Sequence, residues 1–124
     1  MASVRHPNIV LFIAACTNPP NLCIVLEYCP RGSLWGVFRD SGMKFSFEEK
    51  VRVALDTAKG VNYLHHFSTP VIHRDLKSLN ILLDTSCTSK ISDFGWTRFT
   101  ADSMTNRIGT YQWMAPEVIM GNRY

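Results

Sequence analysis

Two short apolar runs, Ile81–Leu83 and Lys90–Ser92, stand on either side of the turn-forming stretch DTSCTS. Polar residues of that kind between two strand-like runs read as a hairpin. Antiparallel pairing brings the chain back to where it started. Asn80 immediately precedes the first run and Asp93 immediately follows the second, so both belong to the same end of the hairpin. Asp75 lies five residues before Asn80, on the loop feeding that end. Two carboxylates and a carboxamide converge there, hard oxygen donors of the sort Mg²⁺ takes when phosphate oxygens and waters complete its shell. Taken alone, loop Asp and Asn residues serve as turn caps. The surrounding sequence, VIHRDLKSLNILLD, argues for more: His73, Arg74, Asp75, Lys77 and Asn80 crowd into eight positions before an apolar strand.

The rest of the chain supplies a frame. NIVLFIAAC and NLCIVLEYC, rich in β-branched and aromatic residues, flank TNPPN and predict an antiparallel hairpin, Ile9–Ala15 with Leu22–Leu26. CPRGS breaks that sheet, and Ser33 can cap a short helix from Leu34 to about Phe38. Ser46 with Glu49 three positions on predicts a capping box. Val51, Ala54, Leu55, Ala58, Val61 and Leu64 follow at helical spacing, a stripe expected to pack as core, and Thr69-Pro70 ends the run. Residues 96–107 are polar and weakly patterned, as in a loop.

Composition narrows the function classes. With 46% apolar and 19% charged residues the chain is globular in type. A formal net charge of +3 without a basic run excludes the electrostatic footprint of a nucleic-acid binder. Cys16, Cys23, Cys29 and Cys87 form no metal-ligand spacing with each other or with histidine, and read as reduced thiols. The longest apolar run, Ile9–Cys16, is too short for a membrane span, and Met1 leads into charged residues rather than a secretory signal. The expected compartment is the cytoplasm.

HRDLKSLN (His73–Asn80), DFG (Asp93–Gly95) and APE (Ala115–Glu117) stand in the order and rough spacing of a protein kinase, which the chain resembles from HPNIV to just past APE. HRDLKS, PRGSLW and WMAPEV resemble most the tyrosine-kinase-like group, its Raf-like and mixed-lineage-like members. The resemblance implies an α+β chain with part of a bilobal kinase fold. Residues 1–26 would be small-lobe strands, 27–32 the hinge and 33–124 part of the large lobe. It implies ATP and Mg²⁺ as cofactors and a protein substrate offering a Ser or Thr hydroxyl. Asp75 would be the catalytic base, Lys77 would neutralise the transferring phosphoryl group, and Asn80 and Asp93 would hold Mg²⁺. Lys77 two residues past the base, and Thr110 in GTYQWMAPE, mark serine/threonine rather than tyrosine specificity within the resemblance.

By the same alignment, backbone groups of Glu27 and Cys29 would bind adenine, with Leu26 as gatekeeper, Leu82 as floor and Ser33 at the ribose. Phe12, His73 and Phe94 match a stacked spine joining the lobes, which makes His73 structural despite its suitability as a base. Arg74 would clamp a phosphate on the loop that carries Ser103 and Thr105. Gly95 and Glu117 complete the DFG and APE motifs.

Trp96, Leu79 and Gly36 depart from the usual pattern, but none replaces a catalytic group. A Gly-rich phosphate loop and a VAIK-type lysine do not occur in the 124 residues. The expectation is a central piece of a kinase domain, truncated within both lobes, marginally stable and inactive alone. A non-catalytic pseudokinase or scaffold is the competing function; the catalytic residues favour the enzyme for the parent protein.

Overall fold

Ser46 starts the longest element by the predicted reciprocal cap. Its Oγ accepts the Glu49 N–H at 3.2 Å, and Glu49 Oε2 accepts the Ser46 N–H at 2.7 Å. The helix α2 that follows runs Phe47–His65. The structure is a computed structural model and describes residues 4–40, 42–93 and 111–120.

The buried face of α2 differs from the expected stripe. Val53, Gly60 and Leu64 are buried, whereas Val51 and Leu55 are exposed. Several apolar residues on one helix allow more than one stripe at a 100° step, and the choice falls to the tertiary partner. Gly60 decides it. A Cβ there would lie 2.6 Å from the Asn8 carbonyl oxygen and 2.8 Å from Ile91 Cδ1, so the helix backbone approaches closer than any side chain would permit. Ala54, Ala58 and Val61 instead line an open apolar groove of about 680 Å³ with Leu34, Phe38 and Phe45.

Two antiparallel hairpins form separate sheets. In the first, β1 (Phe12–Cys16) pairs with β2 (Cys23–Leu26), with an irregularity between Phe12 and Ala14. Ile9 and Val10, expected in that first strand, leave it. The Val10 N–H donates to the Ile91 carbonyl and the Ile91 N–H to the Asn8 carbonyl, both at 2.9 Å. Burial accounts for the diversion: Ile9 and Val10 are almost fully enclosed, while Ile13 in β1 remains 58% exposed.

The second hairpin joins β3 (Ile81–Leu83) to β4 (Ser89–Ile91), opposing Ile81 to Ile91, Leu82 to Lys90 and Leu83 to Ser89. The second strand therefore begins and ends one residue earlier than its expected bounds, Lys90–Ser92. The faces are set by the register rather than by those bounds. As formed, Leu83, Ser89 and Ile91 are fully buried, and Lys90 stands opposite Leu82.

Helix α1 (Leu34–Asp40) starts at the predicted cap, where Ser33 Oγ accepts the Gly36 N–H at 3.2 Å, and runs to Asp40. Its Leu34 and Val37 meet Phe45, Val53, Leu83 and Ile81 in the core. Trp35 on its outer side meets Trp113 edge-on, ring centroids 6.5 Å apart. That contact ties a single 3₁₀ turn, Tyr111–Trp113, and the short helix α3 (Pro116–Ile119) to the body. Among the described residues no helix is long and apolar enough to cross a membrane.

Candidate active site

The hairpin of β3 and β4 delivers the ends that matter. A 3₁₀ turn, Ser78–Asn80, leads into β3 and buries Asn80. Opposite it, Ser92 donates both its N–H, at 2.9 Å, and its hydroxyl, at 3.1 Å, to the Asn80 carbonyl. Asp93 follows with φ +60°, a left-handed conformation that costs a non-glycine residue about 1 kcal/mol or more. Arg74 is also left-handed, with φ +63°. Backbone strain at two of these positions fits a site whose surroundings over-determine the chain path.

Asp75, Lys77 and Asn80 form one bonded cluster. Lys77 Nζ meets Asp75 Oδ2 at 2.7 Å, and both side chains are largely shielded from solvent. Asn80 Nδ2 donates to the Asp75 carbonyl at 2.8 Å and to Asp75 Oδ2 at 3.1 Å. Two donors on one carboxylate oxygen fix the plane of the Asp75 carboxylate. The nitrogen of Asn80 is thereby committed, and its oxygen is the atom suited to a cation. Asp93, the other oxygen donor expected for a cation, is exposed one residue past Ser92. Among the described residues no group of three or more His, Cys, Asp and Glu could hold a metal ion alone.

His73 is buried and uses both ring nitrogens. Nε2 lies 2.8 Å from the Ser92 carbonyl and must donate there, while Nδ1 accepts the Asp75 N–H at 3.2 Å. These two bonds define the neutral Nε2–H tautomer and link the turn before Asp93 to the backbone of Asp75. Arg74 and Asp75 also wall a cleft of about 180 Å³ with Trp113, Met114, Ala115 and Val118.

The first hairpin holds the remaining expected residues. Leu26 ends β2 and is substantially exposed, opposite Phe12, which is half-buried in β1. Cys29 is buried. Ser33 forms an isolated bridge with Leu82, which brings the expected ribose and floor residues together. Glu117 sits exposed in the first turn of α3. Phe94, Gly95, Ser103, Thr105 and Thr110 lie outside the described residues.

Lys90 was not among the expected site residues. Its Nζ meets Glu27 Oε1 at 2.9 Å, while Glu27 Oε2 accepts the Leu11 N–H at 3.1 Å. The pair joins the segment between the hairpins to the strand opposite Leu82. Its sequence signal is the hairpin register: placing Lys90 across from Leu82 turns both side chains to one face.

The comparisons with known proteins give the family. The model of the protein kinase domain matches residues 1–124. The chain is 49% identical, over 96% of its length, to serine/threonine-protein kinase CTR1 of Arabidopsis thaliana, covering 15% of that protein. It is 48% identical over its whole length to serine/threonine-protein kinase STY17 of the same plant, covering 22% of it. A probable serine/threonine-protein kinase of Dictyostelium discoideum is 47% identical over the whole chain, which covers 14% of that protein. The chain thus spans less than a quarter of the length of each of these relatives.

Proposed function

The chain belongs to the protein kinase domain family, and from that premise we propose that the protein carrying it transfers the γ-phosphoryl group of Mg·ATP to a serine or threonine hydroxyl of a protein substrate. The observation that carries this reading is the cluster of Asp75, Lys77 and Asn80 on the loop before β3. When bound, Mg·ATP supplies the phosphoryl group and the cations that draw off its negative charge.

The chain's own residues do the rest by positioning and electrostatics. Asp75, held in plane by Lys77 and Asn80, accepts the proton of the attacking hydroxyl at the cleft it shares with Trp113 and Met114. Lys77, already beside Asp75, brings a positive charge to the point where charge moves. Asn80 through its oxygen and Asp93 through its carboxylate would hold the cations. Arg74, on the wall of that cleft, offers a guanidinium to a phosphorylated hydroxyl at Ser103 or Thr105, and Lys77 and Thr110 favour serine and threonine acceptors.

On the nucleotide side, the Glu27 N–H is committed to the Leu11 carbonyl at 2.9 Å, and the Cys29 carbonyl accepts the Gly32 N–H at 3.0 Å. Adenine would therefore pair with the Glu27 carbonyl and the Cys29 N–H, over Leu82 and in front of Leu26. Ser33 spends its Oγ on capping α1, so a ribose contact would share that oxygen. The cysteine pattern of the sequence supports the cytoplasm as the compartment.

The test is phosphate transfer by the whole protein from radiolabelled ATP, with Mg²⁺, to a basic protein containing Ser, Thr and Tyr. Label on phosphoserine and phosphothreonine that falls at least a thousandfold in Asp75→Asn is the expected result. Label unchanged in Asp75→Asn removes the assignment, and label confined to phosphotyrosine removes the acceptor class.

A further inference from the structure

The first hairpin sets two of the four cysteines face to face. Cys16 closes β1, Cys23 opens β2, and the register opposes them directly. Opposed residues of an antiparallel pair have Cα atoms about 4.5–5.5 Å apart, with their side chains on one face. A disulfide requires about 4.4–6.8 Å between Cα atoms, so the backbone needs little movement to admit one. Asn18 and Asn21 close the connecting turn, the Asn21 N–H donating to the Asn18 carbonyl at 3.1 Å. That turn holds both strand ends in place.

Both thiols are free and reachable: Cys23 is exposed and Cys16 half-buried, with its Sγ 4.0 Å from the Asn18 carbonyl oxygen. The other two cysteines lack this arrangement. Cys29 is only 6% exposed, and burial above all, then the Glu27 carboxylate, pushes its thiol up and away from the reactive thiolate. Cys87 sits in the turn between β3 and β4, in the second sheet.

We propose that Cys16 and Cys23 form a dithiol modification site that a small-molecule disulfide, of the class of oxidised glutathione, converts reversibly into a cross-strand disulfide. The exposed Cys23 loses its proton and its thiolate attacks one sulfur of the small disulfide. A mixed disulfide forms and one thiolate leaves, taking up a proton. Cys16 then loses its proton and attacks Cys23 Sγ, forming the Cys16–Cys23 bond and expelling the second small thiol. Two protein thiols are oxidised and one small disulfide is reduced to two thiols, so the exchange balances without another reactant. Exposed disulfides of this kind are the labile ones, so the same thiol pool at a more reducing poise restores the pair. This proposal does not rest on the phosphoryl-transfer reading.

Titration of the full chain in glutathione buffers of stepped redox ratio, followed by acid quench, alkylation and trypsin, tests this. One tryptic peptide, His6–Arg31, carries Cys16, Cys23 and Cys29. On oxidation it is expected to lose two hydrogens and accept an alkyl group on Cys29 alone, and to revert when reduced glutathione is restored. Cys29→Ser should leave that oxidation intact. Cys16→Ser and Cys23→Ser should each lower the disulfide-bearing fraction at least tenfold. The proposal is overturned if either serine variant leaves the fraction unchanged. It is also overturned if the unsubstituted chain stops at a stable glutathione adduct on Cys23 or stays fully reduced in the most oxidising buffer.

Discussion

Replacing Gly60 by alanine sets two effects of opposite sign against each other. In an exposed helix interior Gly→Ala stabilises by about 1 kcal/mol, because alanine has less backbone freedom to lose. At Gly60 the new methyl would lie 2.6 Å from the Asn8 carbonyl oxygen, about 0.8 Å short of the 3.4 Å at which ordinary contact begins. That oxygen cannot easily withdraw. It accepts the Ile91 N–H at 2.9 Å, and the Asn8 side chain donates to the Ser89 carbonyl at 3.0 Å. The second obstacle, Ile91 Cδ1 at 2.8 Å, belongs to a side chain with no exposed surface into which it could swing. Overpacking of this kind costs about 1–3 kcal/mol, and displaced hydrogen bonds add to it, so the net expectation is a loss of about 2 kcal/mol. In urea unfolding followed by tryptophan fluorescence or circular dichroism, that loss lowers the midpoint by about 1 M at the slope typical of small domains. Ala58→Gly, on an exposed position of the same helix, is the control and should cost about 1 kcal/mol. A Gly60→Ala chain as stable as the parent, or more so, would refute the close approach of α2 to Asn8 and β4.

Two further perturbations probe the same region. Lys90→Met should destabilise by about 1 kcal/mol, a figure already discounted for the partly exposed Glu27 carboxylate. The double variant Glu27→Gln, Lys90→Met should cost less than the two single changes combined, and strict additivity in urea midpoints would mean the 2.9 Å contact is energetically idle. His6 should confer acid sensitivity: burial first, then Lys59 and Lys90, hold its pKa below 6.5, so the folded chain favours the neutral ring, whose Nδ1 accepts the Asn8 N–H at 3.0 Å. Stability from this group is present above pH 6.5 and is lost as pH falls through the folded-state value, so His6→Gln should flatten the fall in urea midpoint between pH 7.5 and 5; equal slopes would refute it.

What could be read from the sequence depended on how local the determining interaction is. The capping box at Ser46, the Ser33 cap and both hairpins involve residues close along the chain, and the caps and pairings follow those signals. Decisions that depend on distant partners did not announce themselves. Val51 and Leu55 look as suited to a core as Val53 and Leu64, and the choice rests on Gly60 fitting against Asn8, more than fifty residues away in the chain. Ile9 and Val10 look like residues of the first strand, but they lie outside it and bond to the Ile91 segment rather than to β2, Ile9 through an isolated bridge. Of the site, hairpin closure made the return of the chain to Asn80 legible, which Ser92 accomplishes, and Asp75 reaches Asn80 from only five residues away on the same loop. The Glu27–Lys90 pair was not legible, since it needs the exact register and the path of the segment after β2.

Those long-range decisions also set the position of Asp75. The glycine at position 60 lets α2 reach the Asn8 carbonyl, which holds the Ile91 N–H, and the Val10 N–H in turn holds the Ile91 carbonyl. With Ile91 fixed, Ser92 follows in place and bonds Asn80 through its N–H and hydroxyl. The Ser92 carbonyl then orients His73, whose other nitrogen takes the Asp75 N–H, while Asn80 holds the Asp75 carbonyl and carboxylate. Every link is a bond between neutral groups except the last, so the path is insensitive to salt where a chain of surface ion pairs would not be. It also means that residues outside the site carry its geometry. A methyl group added at position 60 acts on the same scaffold that holds Asp75, so if the whole protein transfers phosphate as proposed, a loss of that transfer in its Gly60→Ala variant larger than the loss of folded protein would be the signature of that coupling.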